Sequence, residues 1–463
     1  MIIYVSYAID QTKFNYYSMQ DSGTKKEIPR NLYEFITEDD DNACLDIPES
    51  ACKEAPGNFF LNVFNGSCTK LAEQIASPGL VLPWLLSAMG APASLSGFLV
   101  PLNRGGSLLP QLAISGRIRK FEIRKSFWVG AGIVQGLALL LMALVAVLFS
   151  GVIGGITILL LLTLFSMASG VGSVSFKDVL AKTIPKGKRG TLLSLRATIG
   201  GILSLGAGYL IYQYVGDDEG TGVYAVLLIS AAILWFLASL LFFIIKEEPG
   251  ATAGSRTAIN EAREGWGLLR SQPRFLRFVI ARSLLLSVML VIPFYSIFAR
   301  DITGTEVSGL GLFVITSSLA MVLSSYFWGR FADRSSKLVM AAGGFIGVIG
   351  ALIALSFLIL PDHMQTPAIF SSVFFIGGFA HAGIRMGRKT YLVDGAPEKD
   401  RPLYVAVSNT FVGIITVLSA GLGFIADILG VEWLIGLFAF LMAAGIVTAL
   451  TLPKAEEMVI REN

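Results

Sequence analysis

The sequence predicts an all-α integral membrane protein whose twelve transmembrane helices form two similar six-helix halves. Three observations lead there. The first is composition: mean hydropathy is +0.68, with 54% hydrophobic and 15% charged residues among 463, which excludes an ordinary soluble globule and a disordered chain. The second is segmentation. Apolar stretches lie near 58–86, 91–115, 126–150, 152–177, 190–215 and 222–245, and again near 275–299, 307–328, 338–360, 367–389, 402–428 and 432–453. Each is close to the roughly 17 to 25 residues a membrane helix needs, the longer ones being broken by Gly or Pro or able to tilt. The third is repetition. Lys177 and Lys389, Pro185 and Pro397, Arg189 and Arg401, Gly201 and Gly413, and Lys70 and Arg282 are each 212 positions apart, and Gly116-Arg117 recurs 213 positions on as Gly329-Arg330. Parallel repeats of this kind place a substrate site near the midplane between the halves.

In chain order, residues 1–57 read as a polar tail with an acidic run, Glu38 to Asp41, and no core of its own. The opening MIIYVSYAID lacks a basic n-region and a cleavage site, so no signal peptide is expected. The first half then spans 58–245, a connector 246–274, the second half 275–453, and a short tail 454–463.

The first apolar segment is unusual. Along Asn58 to Trp84 the polar residues Asn62, Asn65, Thr69, Lys70, Glu73 and Ser77 fall within an arc of about 140° at 100° per residue, with Phe60, Phe64, Leu71 and Ile75 opposite. A Lys or Glu facing lipid at mid-depth costs about 2.5 kcal/mol or more, so this stripe is expected to face a cavity or partner charges.

Loop charges set the orientation. Arg117, Arg119, Lys120, Arg124 and Lys125, then Lys182, Lys186, Lys188 and Arg189, then Arg330, Arg334 and Lys337, then Lys389, Lys399 and Arg401 all fall on one side, the basic face. The opposite, acidic face carries Asp217, Asp218, Glu219, Asp301, Glu306 and Asp362, with Arg300 as its one basic residue. The positive-inside rule then puts the basic face and both termini in the cytoplasm, with the plasma (inner) membrane as the expected location. The connector carries Arg256, Arg263, Arg270 and Arg274 around a possible amphipathic stretch, 258–269, suited to the inner interface.

Several function classes are disfavoured. Cys44, Cys52 and Cys68 are too few for a disulfide framework and match no metal-ligand spacing, and Cys44 and Cys52 read as ordinary thiols. There are two histidines, His363 and His381, and neither a Ser/His/Asp constellation nor a phosphate-binding Walker loop. No enzyme, cofactor, metal or nucleic-acid partner is implied.

After the eighth segment, Gly329 to Lys337 reads GRFADRSSK. This resembles the loop motif of the major facilitator superfamily, Gly-x-x-x-Asp-Arg-x-Gly-Arg-Lys, with Gly329, Asp333 and Arg334 in their places and Lys337 supplying the positive charge at the motif's Arg position. Ser336 replaces the second Gly, and in the first half Lys120 stands where the motif has Asp. The resemblance extends over about 58–453 in helix number, orientation and half repeat. It implies two pseudo-symmetric bundles of the major facilitator kind, and that Asp333 and Arg334, with Arg330 beside them, join inner-gate contacts.

Charges within the helices then nominate the site. Lys70, Arg104, Arg282, His381, Asn65 and Thr69 are the candidate substrate-binding residues, and Glu73 is the candidate proton-coupling group. Asp178 and Arg385 lie near the cytoplasmic end, where long side chains snorkel or form gate pairs. Arg196, Lys177, Arg388 and Lys389 read first as structural or interfacial, and Asn409, 213 positions after Arg196, as a packing hydrogen bond. Lys70 and Glu73 also admit a purely structural reading as an i,i+3 pair. With Lys70, Arg104 and Arg282 against Glu73 alone, the expected function is a monomeric, proton-coupled secondary transporter of a small anionic or zwitterionic solute. An exporter of amphipathic drugs or lipids is the alternative, and a receptor or channel the remoter one.

Overall fold

The computed structural model describes residues 32–34, 36, 47–118, 120–185, 188–214, 220–250, 267–304, 307–332, 335–397 and 401–458. Every regular element among them is helical. The first half comprises α1 (Glu49–Ile75), α2 (Val81–Ala88), α3 (Ala93–Ile118), α4 (Lys125–Leu148), α5 (Gly151–Thr183), α6 (Arg189–Tyr214) and α7 (Gly222–Ile244). The second comprises α8 (Pro273–Leu285), α9 (Ser287–Leu290), α10 (Ile292–Thr303), α11 (Val307–Ala332), α12 (Ser336–Ser356), α13 (Pro367–Gly395), α14 (Arg401–Leu418), α15 (Gly423–Leu429) and α16 (Val431–Leu450).

Among the described residues, the sixteen α-helices named above make twelve crossings because three crossings are interrupted. The first, α1–α2, breaks at Ser77-Pro78-Gly79, and its 212-shifted counterpart, α8–α10, breaks around Leu286 and at Val291 ahead of Pro293. Proline cannot donate the missing N–H, so the breaks at Pro78 and just ahead of Pro293 fall where the ladder is already interrupted. The eleventh crossing passes from α14 to α15 through a 3-10 turn, Ser419–Leu422. The first crossing starts at Glu49, ahead of the expected Asn58, so residues 49–57 extend the helix toward the basic face.

Two helix starts are capped by carboxylates from far along the chain. The Asp427 carboxylate accepts the Ser94 N–H at 2.9 Å at the start of α3. Glu247, after α7, accepts the Arg124 and Lys125 N–H groups at 2.9 and 2.7 Å at the start of α4. Anions are favoured at both places because the first-turn amides have no partner within their helix. At the other end of α4, Gly151 adopts φ 59°, which a side chain would disfavour, and its N–H reaches the Met89 carbonyl.

Each half has an apolar core and a greasy outer surface. Trp128 stacks on Phe242 at 4.2 Å in the first half, and Phe313 on Phe374 at 4.6 Å in the second. Leu160, Ile153, Phe243, Ile359 and Phe440 are among the largely exposed side chains, as expected of surfaces that meet lipid tails. One expectation is corrected. Cys52 is disulfide-bonded, its partner lying outside the described residues, while Cys68 is free. A low cysteine count excludes a framework of bridges but not a single one.

The halves meet along α3 with α14 and α15, α6 with α11, and α2 with α10. Repeat-related positions touch each other there, as they must near a pseudo-twofold axis. The Trp84 indole N–H donates to the Ser296 carbonyl at 3.0 Å, 212 positions away, and Arg300 donates to the Ser87 hydroxyl, 213 positions away. A side chain at Gly201 would meet Val322, and one at its counterpart Gly413 would meet Leu108.

Candidate functional site

These inter-half contacts close the acidic face. Besides Trp84–Ser296 and Arg300–Ser87, the Ser296 hydroxyl donates to the Gly79 carbonyl at 3.0 Å, and α3 and α15 approach so closely at Gly97 and Gly423 that a Cβ on either would strike backbone. Phe98 and Phe424 lie edge to face at 6.0 Å just beside them. Below that seal, toward the basic face, charged side chains are open to solvent in the interior.

Lys70 and Glu73 share one turn of α1. Their ion pair is 2.6 Å long and each side chain is about half exposed, 46% and 47%. They face inward, because the Glu73 carboxylate acts electrostatically on Arg104 of α3 and on Arg196 of α6. Arg104 is the twelfth residue of α3, about 16 Å from its start at 1.5 Å per residue, hence near the middle of a bilayer. Its side chain is surrounded by protein yet accessible to solvent, a combination found in a cavity wall.

The second half supplies α13. His381, Arg385 and Arg388 recur at i, i+4 and i+7 and so lie along one face of it. All three interact electrostatically with Arg104, and Lys389 interacts with Arg385, Arg388 and Lys177 of α5. The cavity therefore lies between the halves, with cations on both walls. Of the acids in the cavity walls, Glu73 is paired with Lys70, and Asp178 is held by Arg124 at 3.0 Å within its own half.

The expected site residues divide accordingly. Lys70, Glu73, Arg104, His381 and Arg385 come together around the cavity. Asn65 and Thr69 are buried instead: the Asn65 amide donates to the Ala238 carbonyl of α7 at 2.8 Å, and the Thr69 hydroxyl donates back to Gly66 at 3.0 Å. Arg282, 6% exposed, donates to the Ser408 hydroxyl at 2.6 Å and the Asn409 side-chain oxygen at 2.8 Å on α14. Arg330 lies on α11 with its side chain outside the described residues, as are Asp333 and Arg334.

Arg196 and Arg388 are drawn into the site although their sequence reading was structural. Arg196 crosses over Gly66, lies 4.4 Å above the Phe176 ring and donates to the Asn65 oxygen at 3.4 Å. One of its terminal nitrogens is buried without a partner. The available signal was Gly66 itself, whose missing side chain leaves room for a guanidinium from α6. At the basic face the buried Glu247 gathers Lys182 at 2.7 Å in addition to the α4 amides, a clamp that sequence reading did not single out.

Residues 283–462 match the sequence model of the Major Facilitator Superfamily. Solved transporter structures share the fold. A D-xylose-proton symporter superposes with a TM-score of 0.62 over 86% of this chain and 98% of its own, at 16% identity. The nucleoside transporter NupG gives 0.65 over 86% and 99%, at 13% identity, and a POT family transporter in complex with 5-aminolevulinic acid gives 0.65 over 85% and 94%, at 11%. The chain has the major facilitator fold. The resemblance read from Gly329 to Lys337 is borne out, and the chain is a multi-pass membrane protein. An uncharacterized protein of Mycobacterium tuberculosis, Rv2209, is 25% identical over 415 residues, covering 86% of this chain and 78% of the relative. The Mycobacterium bovis protein Mb2232 matches to the same extent.

Proposed function

We propose that this major facilitator protein is a secondary active transporter that carries a small anionic or zwitterionic solute by alternating access, with Glu73 taking up the coupling proton. The observation that carries this reading is the cavity between the halves, lined by Arg104 on one wall and Arg385 on the other, with the Lys70–Glu73 pair at its deep end. A solute anion competes with Glu73 for Lys70. Protonating Glu73 frees Lys70 for the solute, which ties the two events together. With the basic face in the cytoplasm of a plasma membrane and both termini there, the seal at the acidic face makes the present state inward-facing. Asp333, Arg334 and Arg330 then belong to the inner gate, which closes in the opposite state, and Asp178 and Arg385 flank it. Arg282, bound to Ser408 and Asn409, would reach solute only after moving away from α14. The carrier works as a monomer, since each chain supplies both halves of the cavity.

The test is transport in proteoliposomes with and without an imposed pH gradient. Glu73→Gln, which imitates the protonated acid, is expected to keep exchange and lose accumulation against a gradient. If it accumulates solute as well as the parent, Glu73 is not the coupling group and the Lys70–Glu73 pair is structural.

A further inference from the structure

The cavity holds more positive charge than one carboxylate or one zwitterion can match. Glu73 is engaged by Lys70 and Asp178 by Arg124, which leaves the side chains of Arg104, Arg385, Arg388, Lys177 and Lys389 without an ion pair or hydrogen bond among the described residues. These free cations come from both halves. Arg104 on α3 is close enough to Arg385 and Arg388 on α13 for the like charges to repel, and Lys177 on α5 faces Lys389 in the same way. Arg196 adds a buried terminal nitrogen with no partner. A protein does not keep such a set in the membrane without counter-charge, and Glu73, the acid that acts on Arg104 and Arg196, is already paired with Lys70, so the set keeps an excess of positive charge.

We propose that the missing counter-charge is the transported solute: an oxyanion carrying two or more negative charges, bridged between Arg104 of the first half and the Arg385–Arg388 arm of the second. This rests on the transporter reading above and narrows it. The argument is one of charge and shape. Guanidinium groups present planar pairs of N–H donors that fit carboxylate and phosphate oxygens, and arginines dominate this cluster. A monoanion satisfies one wall and leaves the other repelled. A zwitterion brings an ammonium into a field that already disfavours it, so amino acids are excluded. Phosphate monoesters and dicarboxylates share the required chemistry. Because the two arms lie on opposite halves, binding also removes the repulsion that resists their approach, so the loaded carrier closes its basic face more readily than the empty one.

The experiment uses the purified full-length protein at constant ionic strength and neutral pH, with four probes: acetate, glycine, succinate and glycerol phosphate. Equilibrium binding is expected to favour at least one of the two dianions over acetate by about ten-fold or more, the worth of one additional charged hydrogen bond, with glycine weakest. Succinate against glycerol phosphate distinguishes the carboxylate from the phosphate source. Arg104→Gln and Arg385→Gln should each bring the dianion-to-acetate ratio toward one. In case those variants fold poorly, the parent is also treated with phenylglyoxal, which modifies arginines, and mapped by mass spectrometry. Arg104 and Arg385 should be protected by the preferred dianion at concentrations where acetate protects neither. Acetate or glycine binding and protecting as well as both dianions overturns the proposal while leaving an anion or zwitterion transporter standing. If no probe binds or protects, this proposal and the anionic or zwitterionic reading fall together.

Discussion

Removing the Glu247 carboxylate tests the packing of the basic face most directly. Its side chain is fully buried, and it accepts the Arg124 and Lys125 amides and the Lys182 ammonium, the last at 2.7 Å. Glu247→Ala strands two first-turn amides of α4 and leaves Lys182, 17% exposed, without its carboxylate. Orphaned buried donors cost about 1 to 3 kcal/mol each, and breaking a buried ion pair about 3 to 5 kcal/mol, but these terms overlap and Lys182 can turn toward the Glu122 carbonyl that it already reaches. The net expectation is about 3 to 5 kcal/mol. At roughly 2 cal/mol/K of unfolding entropy per residue, a chain of this size loses about 1 °C of melting temperature per kcal/mol, so the fall is about 3 to 5 °C. Glu247→Gln keeps an acceptor oxygen for the amides and loses only the charge, so it should fall by about half as much. Melting of the two variants and of Lys182→Met, with the Glu247→Gln/Lys182→Met double variant closing the cycle, separates the pair from the cap. If Glu247→Ala melts with the parent, the carboxylate does not hold α4 and the clamp is incidental.

Three further predictions use other parts of the molecule. Gly97→Leu puts a side chain into the Gly423 backbone, so it should unseal the acidic face and shift the population toward the opposite state; a cysteine placed at Gly79 should then react faster with a water-soluble maleimide, and an unchanged rate refutes the seal. A buried charge costs more when its partners are removed than when it is removed with them, so the Ser408→Ala/Asn409→Leu double variant should lose about 3 to 5 kcal/mol and Arg282→Met only about 1 to 2; thermal melting that ranks them the other way removes the ion-dipole account of α8 on α14. For orientation, Asp362→Cys should react with an impermeant maleimide added to whole cells and Lys120→Cys only after permeabilisation, each read against the unsubstituted parent; the reverse pattern inverts the cytoplasmic assignment.

Much of this molecule is legible in its sequence, because its solvent is so restrictive. A bilayer requires lipid-facing backbone to bond within helices with apolar side chains outward, so hydropathy locates the twelve crossings even though three of them are interrupted. The 212-residue repeat announced the two halves, and Trp84 meeting Ser296 shows how literally it operates. Helical periodicity also put Lys70 and Glu73 on one wet face, and the structure keeps them together. The same periodicity grouped Asn65 and Thr69 with them. It cannot tell which neighbour an arc of the helix meets, and the part holding Asn65 and Thr69 turns out to pack on α6 and α7 while the part holding Lys70 and Glu73 opens on the cavity. Arg282 looked like a cavity cation because its charge is visible in the sequence, whereas Ser408 and Asn409, the side chains that engage it, lie more than a hundred residues away. Arg196 and Arg388 looked like interfacial anchors for the converse reason. One-dimensional pattern thus determined which residues are in the membrane and which share a face. Which charges find partners, and which are left to receive a solute, depends on contacts between helices from distant parts of the chain, and only the tertiary structure decides those.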